Sequence, residues 1–232
     1  MPIDILQDQV DYYRARAGEY DEWWFRSGRW DRGEEFNACW RREAAQVEAA
    51  LETWLATRRP KRLLELACGT GLFTRHLAPR VDEVTAVDAS PEVIAINRGR
   101  VASPNVEYVQ ADVFAWRADR PYDAVFFSFW LSHVPHDRFA AFWNTVAAAL
   151  APGGAAYLID SAFDPTSTAK DHVVPSRESG VVTRKLNDGR EFRIVKLFYR
   201  PEELATKLSA SGWRADIAQT ERYFIHGDAT PA

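Results

Sequence analysis

Three carboxylates recur through the middle of the sequence, each within or just after a short apolar run. Glu65 lies in Leu63-Leu64-Glu65-Leu66-Ala67-Cys68-Gly69-Thr70-Gly71, Asp88 in Val84-Thr85-Ala86-Val87-Asp88-Ala89-Ser90, and Asp112 in Val109-Gln110-Ala111-Asp112-Val113. In a parallel sheet, acids at the carboxyl ends of successive strands face the crevice where such sheets bind ligands. Gly69 and Gly71 carry no Cβ, so a ligand can rest against the turn, and the helix that follows offers unpaired N–H groups. Asp88, 17 residues beyond Gly71, is placed to accept hydrogen bonds from both hydroxyls of a ribose, with Ala89 beside it. Asp112 is placed to accept from an adenine amine while the Val113 N–H donates to a ring nitrogen. Thr74 occupies the third glycine position of a dinucleotide fingerprint, and Glu65 puts charge where a pyrophosphate would approach. The set describes a nucleoside site with no provision for phosphates. A single acid at such a position often does no more than cap a helix; the ordered trio over a glycine turn carries the reading.

A second cluster follows in Phe126-Phe127-Ser128-Phe129-Trp130-Leu131-Ser132-His133-Val134-Pro135-His136. A neutral imidazole takes up a proton near pH 7, so His133 is a candidate general base, against the plain alternative that it only orders its loop. His136, at the start of the next helix, reads as a cap or an exposed residue. The first 35 residues are dense in aromatics and charge, with Tyr12, Tyr13, Tyr20, Trp23 and Trp24 among arginines and acids. They read as a helix and a flap able to cover a ligand, although several of these rings must be ordinary packing.

Alternating periods provide the scaffold for these residues. Apolar runs predict strands at 62–66, 83–87, 106–109, 123–128 and 155–159, with helices near 72–78, 91–99 and 137–150. Strand–helix alternation of this kind means a parallel sheet covered on both faces. Ser90-Pro91-Glu92 marks a helix start and Ala151-Pro152-Gly153-Gly154 a stop. A preceding helix from Trp40 buries Ala44, Val47, Leu51, Trp54 and Leu55 at spacings of three and four. Beyond Asp160, a polar loop leads to a hairpin around Asn187-Asp188-Gly189, expected as an antiparallel addition to the core, then a helix at 201–211 and one last strand at 213–224. The expected fold is α/β: a doubly wound, mostly parallel sheet flanked by helices, with an N-terminal helical lid and a C-terminal antiparallel hairpin. All 232 residues read as one domain, with residues 1–58 as lid, 60–160 as core, 161–199 as the insertion over the site and 200–232 as the closing helix and strand. Twenty-nine basic against 33 acidic residues leave a net charge of −4, which disfavours a nucleic-acid binder. Cys39 and Cys68 do not make a disulfide framework or a four-ligand zinc site, and no metal is expected. The start, with Asp4, Asp8 and Asp11, has no apolar run of signal-peptide or membrane-span length, so a cytoplasmic protein is expected.

Residues 60–160 resemble the class I S-adenosylmethionine-dependent methyltransferases. Glu65-x-x-Cys68-Gly69-x-Gly71 matches the first motif, Asp88 the ribose acid and Asp112-Val113 the adenine pair. Tyr122-Asp123-Ala124-Val125 and Leu150-x-Pro152-Gly153-Gly154 match later motifs. The resemblance implies a seven-stranded sheet with one antiparallel strand and S-adenosylmethionine as cofactor. It implies that the methionine end lies over Glu65, Ala67, Cys68, Gly69 and Gly71 and contacts Ser128 and Phe129, with Tyr20 closing from the lid. A methyl group would pass in line to an O or N atom of a small organic acceptor bound by Tyr12, Tyr13, Trp24, Trp130 and His133. Among Arg177, Arg184, Arg190 and Arg193 of the insertion, one is able to pair with an anionic acceptor, or all line a solvated hairpin. No nucleic acid and no membrane are expected as partners. Competing readings are an RNA or protein methyltransferase, a nicotinamide-dependent oxidoreductase and a binding module without turnover.

Overall fold

The structure, a computed structural model, describes residues 5–174 and 176–232. Asp4 and the rest of residues 1–4 of the expected lid, and Pro175 of the expected insertion, lie outside the described residues. The lid region forms α1 (Ile5–Ala15) and α2 (Asp21–Phe25), followed by the long α3 (Glu34–Arg58). The core strands are β1 (Arg62–Leu66), β2 (Glu83–Asp88), β3 (Val106–Gln110), β4 (Tyr122–Ser128) and β5 (Leu150–Ser161). Between them run α4 (Thr74–Leu77), α5 (Pro91–Val101) and α6 (Phe139–Ala149). After Ser161 come β6 (Val181–Lys185), β7 (Glu191–Val195), α7 (Pro201–Ser209), β8 (Trp213–Gln219) and β9 (Phe224–Pro231).

Seven strands form one sheet in the order β3-β2-β1-β4-β5-β9-β8. The first five are mutually parallel, and β9 runs antiparallel to both β5 and β8. Helices cover both faces, so Leu63, Leu64, Val125, Phe126, Phe127, Leu158 and Ile159 are all shut away from solvent. This is why the central strands read as continuous apolar runs rather than alternating ones. Strand order reverses between β1 and β4, which opens a crevice at their carboxyl ends. One cap holds the approach to it. Ser90 Oγ accepts the Val93 N–H at 3.3 Å, with Pro91 in the first turn of α5.

The expected antiparallel hairpin is present as β6–β7 and forms a separate two-stranded sheet. Its apolar face, Val182, Leu186 and Ile194, is covered by Tyr12 of α1, so it lies under the lid. The final segment is two strands, not the one expected. Glu43 of α3 is buried and accepts hydrogen bonds from the Arg222 and Tyr223 amides and the Thr220 hydroxyl, which fixes a reversal between β8 and β9. Cys39 and Glu221 lie close to Glu43, but Glu43 Oε2 is already engaged by this brace and Arg42 bridges the other two. Among the described residues no helix is long and apolar enough to cross a membrane.

Candidate active site

Two cavities meet at the carboxyl end of the sheet. The first, about 270 Å³, lies over β1, β2 and β4 and is lined by Ala67, Gly69, Asp88, Ala89, Asp112, Val113, Ser128, Phe129 and Trp130, with Tyr13 and Tyr20 of the lid above. Asp88 Oδ2 accepts the Gly69 amide at 2.9 Å and Oδ1 the Ser90 amide at 3.0 Å. Each oxygen keeps a lone pair for a ligand hydroxyl. Burial pushes the Asp88 carboxyl above its usual range, and those amides pull it back. Asp112 Oδ1 accepts the Phe114 amide at 2.9 Å. Phe114 and Trp130, with centroids 5.3 Å apart, wall the same end, and the buried Trp130 indole N–H has no partner among the described residues. Carboxylates for hydroxyls and an amine and flat rings for a base suit an adenosine ligand, with Arg138, over the Phe114 ring at 5.2 Å, also in this wall.

Two residues in this wall have positive φ without being glycine: Ala67 at +53° and Phe129 at +51°, ending β1 and β4. Such backbone costs about 1–3 kcal/mol each and persists where packing over-determines it. The Phe129 amide donates to the Ile159 carbonyl at 2.8 Å, and its ring lies 4.6 Å from that of Trp23 and 5.8 Å from that of Trp24. The aromatic lid thus holds the turn that aims Ser128 and Phe129 into the cleft.

Glu65, Cys68 and Gly71, expected against the cofactor, do not line the cleft; they build its floor from below. Glu65 is buried, accepts the Thr74 hydroxyl at 2.7 Å, and is pushed up to about 8 by loss of solvent. The Asn97 amide donates to the Cys68 and Gly69 carbonyls and to Thr74, and Tyr108 donates to Asn97. Gly71 has φ +86°, and a Cβ there would meet Asn97 Oδ1 at 2.5 Å, so the turn sits directly on this network. Burial raises the Cys68 thiol, which is therefore a small filler and not a thiolate. Tyr12 and Trp24 also depart from expectation. Tyr12 packs on the hairpin and Trp24 sits among Trp40, Phe73 and Phe224, because each faces inward from its helix. Trp130 stands in the first cavity, not with the acceptor group expected of it.

The second cavity, about 60 Å³, lies between the lid, the hairpin and the loop after β5. Tyr13, Tyr20, Phe129 and His133 line both cavities and form the boundary. Its other walls bring in three buried cations. Arg16 of α1 is 6% exposed, stacks over Tyr20 at 4.8 Å and Trp30 at 5.1 Å, and among the described residues leaves Nε and Nη2 without a hydrogen bond. Arg184 of β6 is 8% exposed and bonds Thr168 Oγ1 at 3.1 Å. Lys196 is 9% exposed and donates to Ser132 Oγ at 2.8 Å and Ser161 Oγ at 3.2 Å, with Asp160 at 3.8 Å; burial lowers it to about 8. Asp164, also in the wall, is already paired with Arg222. Among the described residues no carboxylate lies within ion-pair distance of Arg16 or Arg184. Of the arginines expected here, Arg184 is in the wall and Arg177, Arg190 and Arg193 are not.

Arg16 and Lys196 were missed. Tyr12, Tyr13, Arg16 and Tyr20 at helical spacing signal one shared face, whereas nothing local marks Lys196 as buried. His133 lies where expected, wholly packed in. Its Nδ1 is 2.6 Å from the Val195 carbonyl and its Nε2 2.6 Å from Tyr13 Oη. Burial first, then Lys196, holds it well below its usual pKa. Gln9 bonds the His133 carbonyl and the Val195 amide, tying α1 to both loops.

A methyltransferase-domain family model matches residues 63–154, the part that holds the cleft. The solved DhpI complex with S-adenosylhomocysteine (SAH) is 40% identical, covers 98% of this chain and 97% of that one, and superposes with a TM-score of 0.79. The chain belongs to the class I S-adenosylmethionine-dependent methyltransferases. The DhpI–SAM–HEP complex superposes on this methyltransferase with a TM-score of 0.78 at the same 40% identity, covering all of both chains. The ubiquinone biosynthesis O-methyltransferase of Xylella fastidiosa (strain 9a5c) is 34% identical over 167 residues, 70% of this chain and 64% of that protein. The trans-aconitate 2-methyltransferase of Streptomyces avermitilis is 34% identical over 120 residues, 47% of this chain and 43% of the other. This methyltransferase thus matches less than two thirds of the length of these curated relatives.

Proposed function

We propose that this methyltransferase moves a methyl group from S-adenosylmethionine, by in-line displacement, to an oxygen of a small anionic acceptor. One observation carries the choice of acceptor: two guanidiniums, Arg16 and Arg184, with no carboxylate within ion-pair distance among the described residues, line the cavity that adjoins the adenosine cleft. Burying an unpaired charge costs several kcal/mol, so such a pair makes sense where a ligand supplies the opposite charge. When bound, the cofactor supplies a methyl group on a positively charged sulfur, a donor that needs no further activation. Asp88 then holds the ribose, and Asp112 with Val113 the adenine. Arg16, Arg184 and Lys196 grip the acceptor's charged oxygens and orient it, while Tyr20, Trp23 and Phe129 shut out water.

The small second cavity supports a compact acceptor over a nucleic acid or protein chain. Two relatives carry names in keeping with this chemistry, one an O-methyltransferase and the other named for trans-aconitate, itself an acid anion. The protein with methyl-labelled cofactor, offered carboxylates, phosphate monoesters, phosphonates and sulfonates beside neutral phenols and amines, tests the reading. Label is expected in a methyl ester or methyl ether of at least one acid. Transfer confined to neutral phenols or amines overturns the anionic acceptor, and no heat on titration with SAH overturns the cofactor site.

A further inference from the structure

Where the cavities meet, the hydrogen-bond chemistry runs in one direction. Val195 presents a carbonyl oxygen, which only accepts, so His133 Nδ1 carries the hydrogen across that 2.6 Å contact. The ring is buried beside Lys196, Arg184 and Arg16 and is neutral, so Nε2 is bare. The 2.6 Å contact with Tyr13 is therefore an O–H donated by the phenol to Nε2. Tyr13 Oη makes no other hydrogen bond among the described residues. Its proton is committed to His133, and its lone pairs remain for whatever stands at the boundary, where Tyr13 lines both cavities.

We propose that Tyr13 is the catalytic residue that touches the acceptor's reacting oxygen, and that His133 is a positioning residue that acts only through Tyr13. The inference rests on the acceptor occupying the second cavity. A phenol oxygen offering lone pairs binds a hydroxyl and repels an oxyanion. The reacting oxygen therefore arrives with a proton, as the remaining O–H of a partly ionised acid or a hydroxyl beside the acid group, while the ionised oxygens lie against the three cations. In the transfer the O–CH₃ bond forms and the C–S bond breaks, its electron pair staying on sulfur. The acceptor proton passes to Tyr13 Oη and the phenol's own proton to His133 Nε2, giving an imidazolium that keeps its bond to the Val195 carbonyl. Burial first, and then the positive field of Lys196, makes His133 a poor base in the free protein, and the bound acid offsets the second of these. A neutral acceptor would leave that field in place.

Tyr13→Phe, His133→Gln and the double variant test this, with an acid accepted by the wild-type protein as substrate. Each single variant is expected to lower kcat at least about 100-fold, the usual reach of general-base help. The KM of the acid and the SAH dissociation constant should stay within twofold, and the double variant should lose no more than the worse single. A kcat within threefold of wild type for Tyr13→Phe, or losses that multiply in the double variant, overturns the relay. A merely structural pair would instead raise KM and the SAH dissociation constant together. Nitrogen-15 NMR of His133 in the ligand-free protein gives a readout independent of turnover. It should show a neutral, Nδ1-protonated ring at pH 7, with the Nε2 resonance moving in Tyr13→Phe. An Nε2-protonated or charged ring contradicts the inference even if a variant fails to fold. If no acid is methylated by wild type, the acceptor assignment fails, while the NMR still reports on the pair.

Discussion

Asp88 and Gly69 join β2 to the turn after β1, with the Gly69 amide donating to Asp88 Oδ2 at 2.9 Å. One carboxylate thus shapes the glycine turn and lines the cleft where the proposed ribose would lie. Replacing Asp88 by Ala strands the amide and removes the hydroxyl acceptor, a loss of about 1–3 kcal/mol. The SAH dissociation constant, read by calorimetry, should rise about 5- to 150-fold. An unchanged constant removes Asp88 from the site.

In the proposed acceptor site, Arg16 and Arg184 are the groups that would meet the acceptor's charge. Arg16→Met and Arg184→Met keep most of each stem but remove the guanidinium. Each should raise the KM of an acid acceptor at least tenfold while leaving SAH affinity within twofold. Equal KM values would mean that the acid binds elsewhere.

Lys196 gives this binding a pH limit. Its folded-state pKa, lowered by burial to about 8, means that the free protein loses this positive charge as pH rises through 8. KM for an acid should therefore climb above pH 8, toward a tenfold rise per pH unit. Lys196→Arg, charged throughout, should flatten the profile. A wild-type KM independent of pH between 7 and 9.5 would exclude Lys196 from the anion's contacts.

Glu65, buried beneath the turn on the Thr74 hydroxyl, is expected to act on stability. Its folded-state pKa is raised by burial to about 8, above the ordinary 4.5. The stability associated with the protonated form is full below about pH 4.5 and is lost as pH rises through 8. Glu65→Gln keeps an oxygen for the Thr74 hydroxyl and never ionises. Its melting temperature should exceed wild type at pH 8 and change less between pH 5 and 8. A variant that melts lower at pH 8 would show that the ionised carboxylate is needed.

What was legible in sequence follows from how local the signal was. The strands of the parallel core are apolar because both faces are covered, and Asp88 and Asp112 follow them, so order alone placed these acids in one cleft. Glu65 reads the same way, yet its side chain points beneath the turn, a choice made by Thr74 and the α5 residue Asn97. In the aromatic lid, composition cannot say which rings turn inward. Tyr13 and Tyr20 reach the site, whereas Tyr12 and Trp24 pack against the hairpin and the central rings. Arg16 and Lys196 look like surface charges until the hairpin closes over them, and the hairpin's own position depends on α1, more than 160 residues earlier in sequence.

The most direct measurement is a crystal structure with SAH and a small doubly charged acid. It should show adenosine between Asp88 and Asp112, the homocysteine sulfur facing Tyr13, and the acid's charged oxygens within hydrogen-bond reach of Arg16 and Arg184. SAH in the cleft with the acid bound away from both arginines would contradict the account.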